Sequence, residues 1–190
     1  MKRANVRFTY SDYLQLPEDK RYEILDGELR VVPAPNIRHQ RISGNLEWAL
    51  RELIRTTGSG EILHAPCDVV FSEENVVQPD ILYVRKERAG IIGETHIRGA
   101  PDLVVEILSP ESRKRDLEVK RKIYAGFGVT EYWIVDPEAG TIEVLIWSER
   151  GFVQAGLYGS ADRLSSPLLP QLDVPIAEIF KNPWDTDQHG

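Results

Sequence analysis

The sequence predicts an α/β fold in which two helices pack on a mixed (α+β) sheet, with flanking N-terminal and C-terminal β-hairpins. Three observations carry this reading. Apolar residues recur at helical spacing over long segments and alternate or run unbroken over short ones. Turn signals divide these segments in the order hairpin, helix, three strands, helix, strand, hairpin. The 190 residues, 42% hydrophobic and 28% charged, suit one globular domain over 1–190, with flexible ends at 1–7 and 182–190.

Ser11 is placed to cap a short helix over Asp12–Leu16, which Pro17 ends. Tyr22–Val32 (YEILDGELRVV) is a hairpin turning at Asp26-Gly27 and closed by Pro33 and Pro35. His39–Thr56 is the first long helix: Ile42, Leu46, Ala49, Leu50, Leu53 and Ile54 share one face, and Gly58-Ser59-Gly60 stops it. Three strands follow, Glu61–Phe71 with a break allowed at Pro66, then Val76–Val84, then Leu103–Leu108. A charged connection with a short helix, Arg85–Arg98, joins the last two. Arg113–Gly126 is the second helix. Tyr132–Val135 is wholly apolar and therefore central, with Tyr132 and Trp133 in the core. Thr141–Trp147 and Gly151–Tyr158 alternate and form a hairpin over one end of the sheet, and Ile176–Phe180 adds a helical turn.

Composition excludes several classes. The single cysteine, Cys67, cannot form an internal bridge, which fits a reducing compartment. No segment reaches the ~20 apolar residues of a membrane span, and no apolar core follows Lys2 and Arg3, so the expectation is a cytoplasmic protein with no membrane partner. A net charge of −7 argues against broad non-specific nucleic-acid binding but leaves room for a local basic groove. His64, His96 and His189 lack zinc-ligand spacing, and there is no Gly-rich phosphate loop or G-x-S-x-G.

The chemistry lies in two acids set in apolar strands: Asp80 in VVQPDILYV and Glu106 in LVVEIL. A buried carboxylate must be paired, hydrogen-bonded or metal-bound. Strand parity places Gln78, Asp80 and Leu82 on one face and Val104, Glu106 and Leu108 on another. If the strands are neighbours, the carboxylates meet and suit a hard divalent cation. Pro79 removes a ladder donor and bends the strand beside Asp80. Asp116, Lys120 and Tyr124 form one helical stripe from which Lys120 can reach over the acids, while Lys122 faces solvent. Pro101-Asp102 is a decoy: Asp102 shares the Glu106 face but lies ~13 Å away along extended chain and reads as a strand-entry turn.

The runs YEILDGEL, PAPNIRHQRI, VVQPDILYV, GAPDLVVEILSP and RDLEVKRKIYAGFGVTEYWIVDP resemble the Uma-two restriction-endonuclease family, within the PD-(D/E)XK nuclease superfamily, over about residues 8–180. The resemblance implies a restriction-endonuclease-like core and a metal-dependent DNA endonuclease that hydrolyses phosphodiester bonds. Pro79-Asp80 stands for the PD and Glu106 for the second acid. Leu108 occupies the usual lysine slot, so the lysine has moved to Lys120. Asp80, Glu106 and the Ile107 backbone carbonyl would hold Mg²⁺ or Mn²⁺, and the metal and Lys120 would orient and deprotonate a water. Glu23 either lines the site as a further acid or faces water in its hairpin; His39 either touches substrate or makes a helix-start contact. DNA is the implied partner. A homodimer is an added expectation, with Trp147 and Phe152 as exposed apolar contact candidates. Two other readings stand beside this one: a non-catalytic nucleic-acid- or protein-binding module on a nuclease fold, and a hydrolase of smaller phosphoesters.

Overall fold

The computed structural model describes residues 6–17 and 19–184. Most of the two segments expected to be flexible ends, and His189, lie outside the described residues. Within them, Arg7 reaches the Glu74 carboxylate and Phe8 N–H donates to the Gly27 carbonyl. The first helix is α1, Tyr10–Tyr13, capped by Thr9 and not Ser11. Thr9 Oγ1 takes the Asp12 N–H while the Asp12 carboxylate takes the Thr9 N–H, a reciprocal capping box that Ser11 cannot form from inside the helix.

The hairpin is β1, Arg21–Leu25, with β2, Glu28–Val32. Asp26 and Gly27 take positive φ at its tip, as its two-residue turn requires. Helix α2 spans Ile37–Thr57, slightly longer at both ends than its periodicity predicts, because Asn36 caps its start and Gly58 turns left-handed at its end. The following chain breaks at Pro66 into β3, Gly60–His64, and β4, Asp68–Ser72. The segment expected as one strand over Val76–Val84 is two: β5, Asn75–Val77, and β6, Ile81–Arg85. Pro79 has no N–H for a ladder, and the Gln78 N–H is taken instead by Glu23 Oε1 at 3.0 Å. Asp80 therefore sits in a crossing between strands, not in the middle of one.

After β6 come a 3₁₀ turn, Lys86–Ile91, and β7, His96–Arg98, then β8, Leu103–Ile107. A π-helical turn, Arg115–Lys120, runs directly into α3, Arg121–Gly126. Strands β9, Glu131–Asp136, β10, Thr141–Ser148, and β11, Gly151–Tyr158, precede a short ribbon of β12, Arg163–Leu164, and β13, Val174–Pro175, and the final α4, Ile176–Phe180.

These strands form two principal sheets where one was expected. The larger runs β11-β10-β9-β8-β6-β3 and the smaller β2-β1-β5-β4-β7. Among the described residues, only the β8–β9 and β4–β7 pairs are parallel. The C-terminal hairpin extends the large sheet at one edge, and the N-terminal hairpin belongs to the small one. The Gln78–Asp80 crossing carries the chain from one sheet to the other.

Alternation along the central strands sorts the core. Ile81, Tyr83, Leu103, Val105, Ile107, Trp133 and Val135 pack against Ile42, Leu46, Leu50 and Ile54 of α2. Leu82, Val84, Val104, Tyr132 and Ile134 pack on the opposite face with Ile123 and Tyr124 of α3 and Val69, Val77 and Ile97 of the small sheet. By the same parity, Asp80 and Glu106 belong to this second face. Trp147 is 45% exposed, but Phe152 is half-buried against Tyr132, so it is not the open hairpin contact that alternation predicts. Among the described residues no helix is long and apolar enough to cross a membrane.

The α2 face sets a stability test. Leu50→Ala empties a fully buried position and should lower the unfolding free energy in urea by about 2–5 kcal/mol. Trp48→Ala, at a 68% exposed position of the same helix, should stay within about 0.5 kcal/mol of the parent.

Candidate active site

The antiparallel register pairs Ile81 with Val105 and Leu82 with Val104. One step further, Asp80 falls opposite Glu106, so the two acids meet on one face. Asp80 Oδ2 accepts the Ile107 N–H at 2.7 Å and faces His39 Nε2 at 3.1 Å. The Leu108 N–H bonds the Val135 carbonyl, which turns the N–H and C=O of Ile107 toward the β6 side, where β6 has not yet begun. That is why a side chain can take the Ile107 N–H.

Glu106 is buried and accepts through Oε1 from Lys120 Nζ at 2.9 Å and from the Tyr124 hydroxyl. Lys120 Nζ also lies 2.7 Å from Glu23 Oε1 and 3.6 Å from Asp116 Oδ1. Burial alone would push the Lys120 ammonium down, but Glu106, Glu23 and Asp116 more than offset this and hold it above its ordinary value. Burial pushes Glu106 up, Lys120 pulls it back, and Asp116, Asp80 and Glu23 raise it again, so it ends well above the usual carboxylate range. Burial likewise raises Asp116. For His39, burial lowers the imidazole, but the Asp80 carboxylate outweighs it and the net shift is upward. A raised histidine contributes stability in full below its ordinary value of 6.5 and loses it as pH climbs through the raised one.

The sequence-predicted set of Asp80, Glu106, Lys120, Glu23, His39 and Ile107 thus comes together. Glu23 is buried and not a water-facing hairpin residue, because it receives both Lys120 and the Gln78 N–H. It stands behind Lys120 and is not on the cleft wall, which includes Arg21, His39, Gln78, Asp80, Glu106, Ile107, Arg115, Asp116 and Lys120. The decoy Asp102 is spent on the Arg85 N–H and on Arg88 and lies outside the cleft.

Residues 10–177 match the family Uma2, described as "Putative restriction endonuclease". The chain belongs to the Uma2 family. No curated protein matches it. Among solved structures, it resembles the crystal structure of a "putative nuclease belonging to DUF820" from Anabaena variabilis at TM-score 0.76 and 19% identity, covering 91% of this chain and 97% of that one.

Two residues of this cleft in the Uma2 chain were not candidate site positions on the sequence alone: Asp116 and Arg115. On a regular helix Arg115 lies about 140° from Lys120, five steps of 100°. In the π turn the Arg121 N–H bonds the Asp116 carbonyl five residues back, and the wider turn brings Arg115, Asp116 and Lys120 to one wall. Among the described residues, every buried side-chain nitrogen or oxygen without a hydrogen bond lies in the candidate site or directly behind it: Glu23 Oε2, His39 Nδ1, Gln78 Oε1, Arg115 Nε and Asp116 Oδ1. Buried side-chain nitrogens and oxygens elsewhere among the described residues are satisfied, so unspent side-chain hydrogen-bonding capacity is concentrated here.

Among the described residues, no three His, Cys, Asp or Glu side chains form a ready-made metal cage. Hard cations such as Mg²⁺ need less, often one or two carboxylates completed by waters. Asp80 and Glu106 each engage the protein through one oxygen, Oδ2 and Oε1, which leaves Oδ1 and Oε2 as lone-pair donors. Five carboxylates, Asp80, Glu106, Glu111, Asp116 and Glu23 behind them, face three permanent cations, Lys120, Arg115 and Arg21, a formal excess of two negative charges. The residues fit a divalent cation in charge and in donor type.

Lys120→Met in EDTA should lower stability by about 3–5 kcal/mol, because it strands Glu23 and Glu106 as buried charges. Adding Glu106→Gln should restore part of that loss, read as a coupling energy in a double-mutant cycle from urea melts.

Proposed function

We propose that the protein is a metal-dependent endonuclease that hydrolyses phosphodiester bonds in DNA. The observation that carries this reading is the meeting of Asp80 and Glu106 across the β6–β8 register, with the Lys120 ammonium 2.9 Å from Glu106. Membership of the Uma2 family supports DNA as the substrate. Asp80, Glu106 and the Ile107 carbonyl would hold Mg²⁺ or Mn²⁺. When bound, such a cation polarises a phosphoryl oxygen and makes a water more acidic near neutral pH.

The chain's own groups do the rest. Lys120 is held as a cation by three carboxylates, so it serves as a charge stabiliser and not as the proton acceptor that a lysine in this position suggests. Its tethers on Glu23 and Glu106 fix the ammonium before substrate arrives, which saves reorganisation. His39 orients Asp80, and Tyr124 orients Glu106.

A second reading, a non-catalytic binding module on the same fold, draws on one observation: the Lys120 ammonium is already engaged by Glu23 and Glu106. Supercoiled plasmid with Mn²⁺ separates the two. The nuclease should nick it, and Glu106→Gln or Asp80→Asn should each slow nicking by ~10²-fold or more. Plasmid left intact by the wild type, or cut equally by Glu106→Gln, would favour the binding module.

Acidity adds a further test. Glu106 keeps its proton to higher pH than an ordinary carboxyl, and a metal needs the carboxylate. Mn²⁺ affinity should therefore tighten as pH rises, with protons released on binding. Titration calorimetry in two buffers of different ionisation enthalpy reads that release directly.

A further inference from the structure

Three side chains on the cleft wall carry or readily take positive charge besides Arg115, and each is engaged. Arg21 donates to the Pro33 carbonyl at 2.8 Å, Lys120 is held by Glu23 and Glu106, and His39 is held by Asp80. Arg115 is different. Its nearest carboxylate oxygens are Asp116 Oδ1 at 3.6 Å and Glu23 Oε2 at 3.7 Å from Nε, both beyond hydrogen-bond reach, and the buried Nε makes no hydrogen bond. Its side chain is only 18% exposed.

A guanidinium this deep normally spends its donors, because leaving them unmade in a partly dry site is costly. The nearby carboxylates hold Arg115 in the cleft by charge without satisfying its directional bonds. Guanidinium presents a rigid planar fork of five N–H donors that matches the paired oxygens of a phosphate. Arg115 shares a wall with Asp80 and Glu106, the two acids opposite each other, and the π turn brings it there beside Lys120.

Building on the nuclease reading, we propose that Arg115 is the phosphate clamp of this site: its guanidinium donates to the non-bridging oxygens of the phosphodiester that lies against Asp80 and Glu106. The chemical class it recognises is a phosphodiester anion. Lys120 would then stabilise charge from one side of the phosphate and Arg115 grip it from another. A lysine at 115 would keep the charge and lose the fork.

The test uses the full-length protein with a fluorescent duplex in Ca²⁺ buffer, followed by anisotropy over a salt series, and plasmid nicking in Mn²⁺. Arg115→Met should weaken duplex binding by about tenfold or more and reduce the slope of log Kobs against log salt by ~0.9, the loss of one phosphate contact. Arg115→Lys guards against misfolding of the Met variant. It should keep the salt slope but lose ~10²-fold in nicking rate at saturating DNA, with KM little changed. Wild-type affinity and slope in Arg115→Met, or wild-type nicking in Arg115→Lys, would overturn the clamp. Duplex binding that depends on Arg115 without any nicking by the wild type would retain the clamp and reject the nuclease. A wild type that does not bind duplex DNA would reject both.

Discussion

One buried ammonium ties the two sheets together at the cleft. Lys120 comes from the π turn after β8, Glu23 from the small sheet and Glu106 from the large one, and the three meet within hydrogen-bond distance. In a dry interior such attraction is strong, but each charge has also lost its water, so the arrangement persists only with every partner in place. Glu23 has a second task. Its Oε1 also takes the Gln78 N–H, and that bond sits where the chain leaves β5 to begin β6. The same carboxylate thus anchors the lysine and the strand crossing that delivers Asp80.

Glu131 offers a contrast within the same protein. It too is a buried carboxylate in a central strand, and burial raises it as well. Yet it is satisfied by the Trp133 indole, the Ser166 hydroxyl and the Leu168 N–H. None of its oxygens is left over. The residues around Asp80 and Glu106 leave five buried polar atoms unpaired. Glu131 and the acids of the cleft therefore differ in what their surroundings leave unspent, not in whether they are buried.

Much of this was legible in the residues themselves. Strand parity put Asp80 and Glu106 on one face because side chains alternate regardless of tertiary context. The apolar stripe of α2 was readable for the same reason, since its period is fixed by the helix. Tertiary choices were not. Whether Val76–Val84 ran straight or crossed between sheets depended on Glu23 taking the Gln78 N–H, a contact between residues 55 apart in sequence. β7 is three residues long and exists because it pairs with β4. Arg115 was hidden by an assumption of regular helical period, which the π turn breaks.

The π turn has a consequence for how such a site can change. A π turn holds one more residue than the α-helical turn it replaces. Closing Arg115–Lys120 into ordinary α-helical bonding with no residue removed would rotate everything beyond it by about 100° relative to what precedes it. Lys120 and Tyr124 would leave Glu106 together, while Ile123 would lose its place in the core. The cleft's arrangement is thus tied to the bonding of one turn as much as to its composition. A lineage carrying a one-residue gap at this point would close the turn and keep Lys120 and Tyr124 in phase with the chain before it.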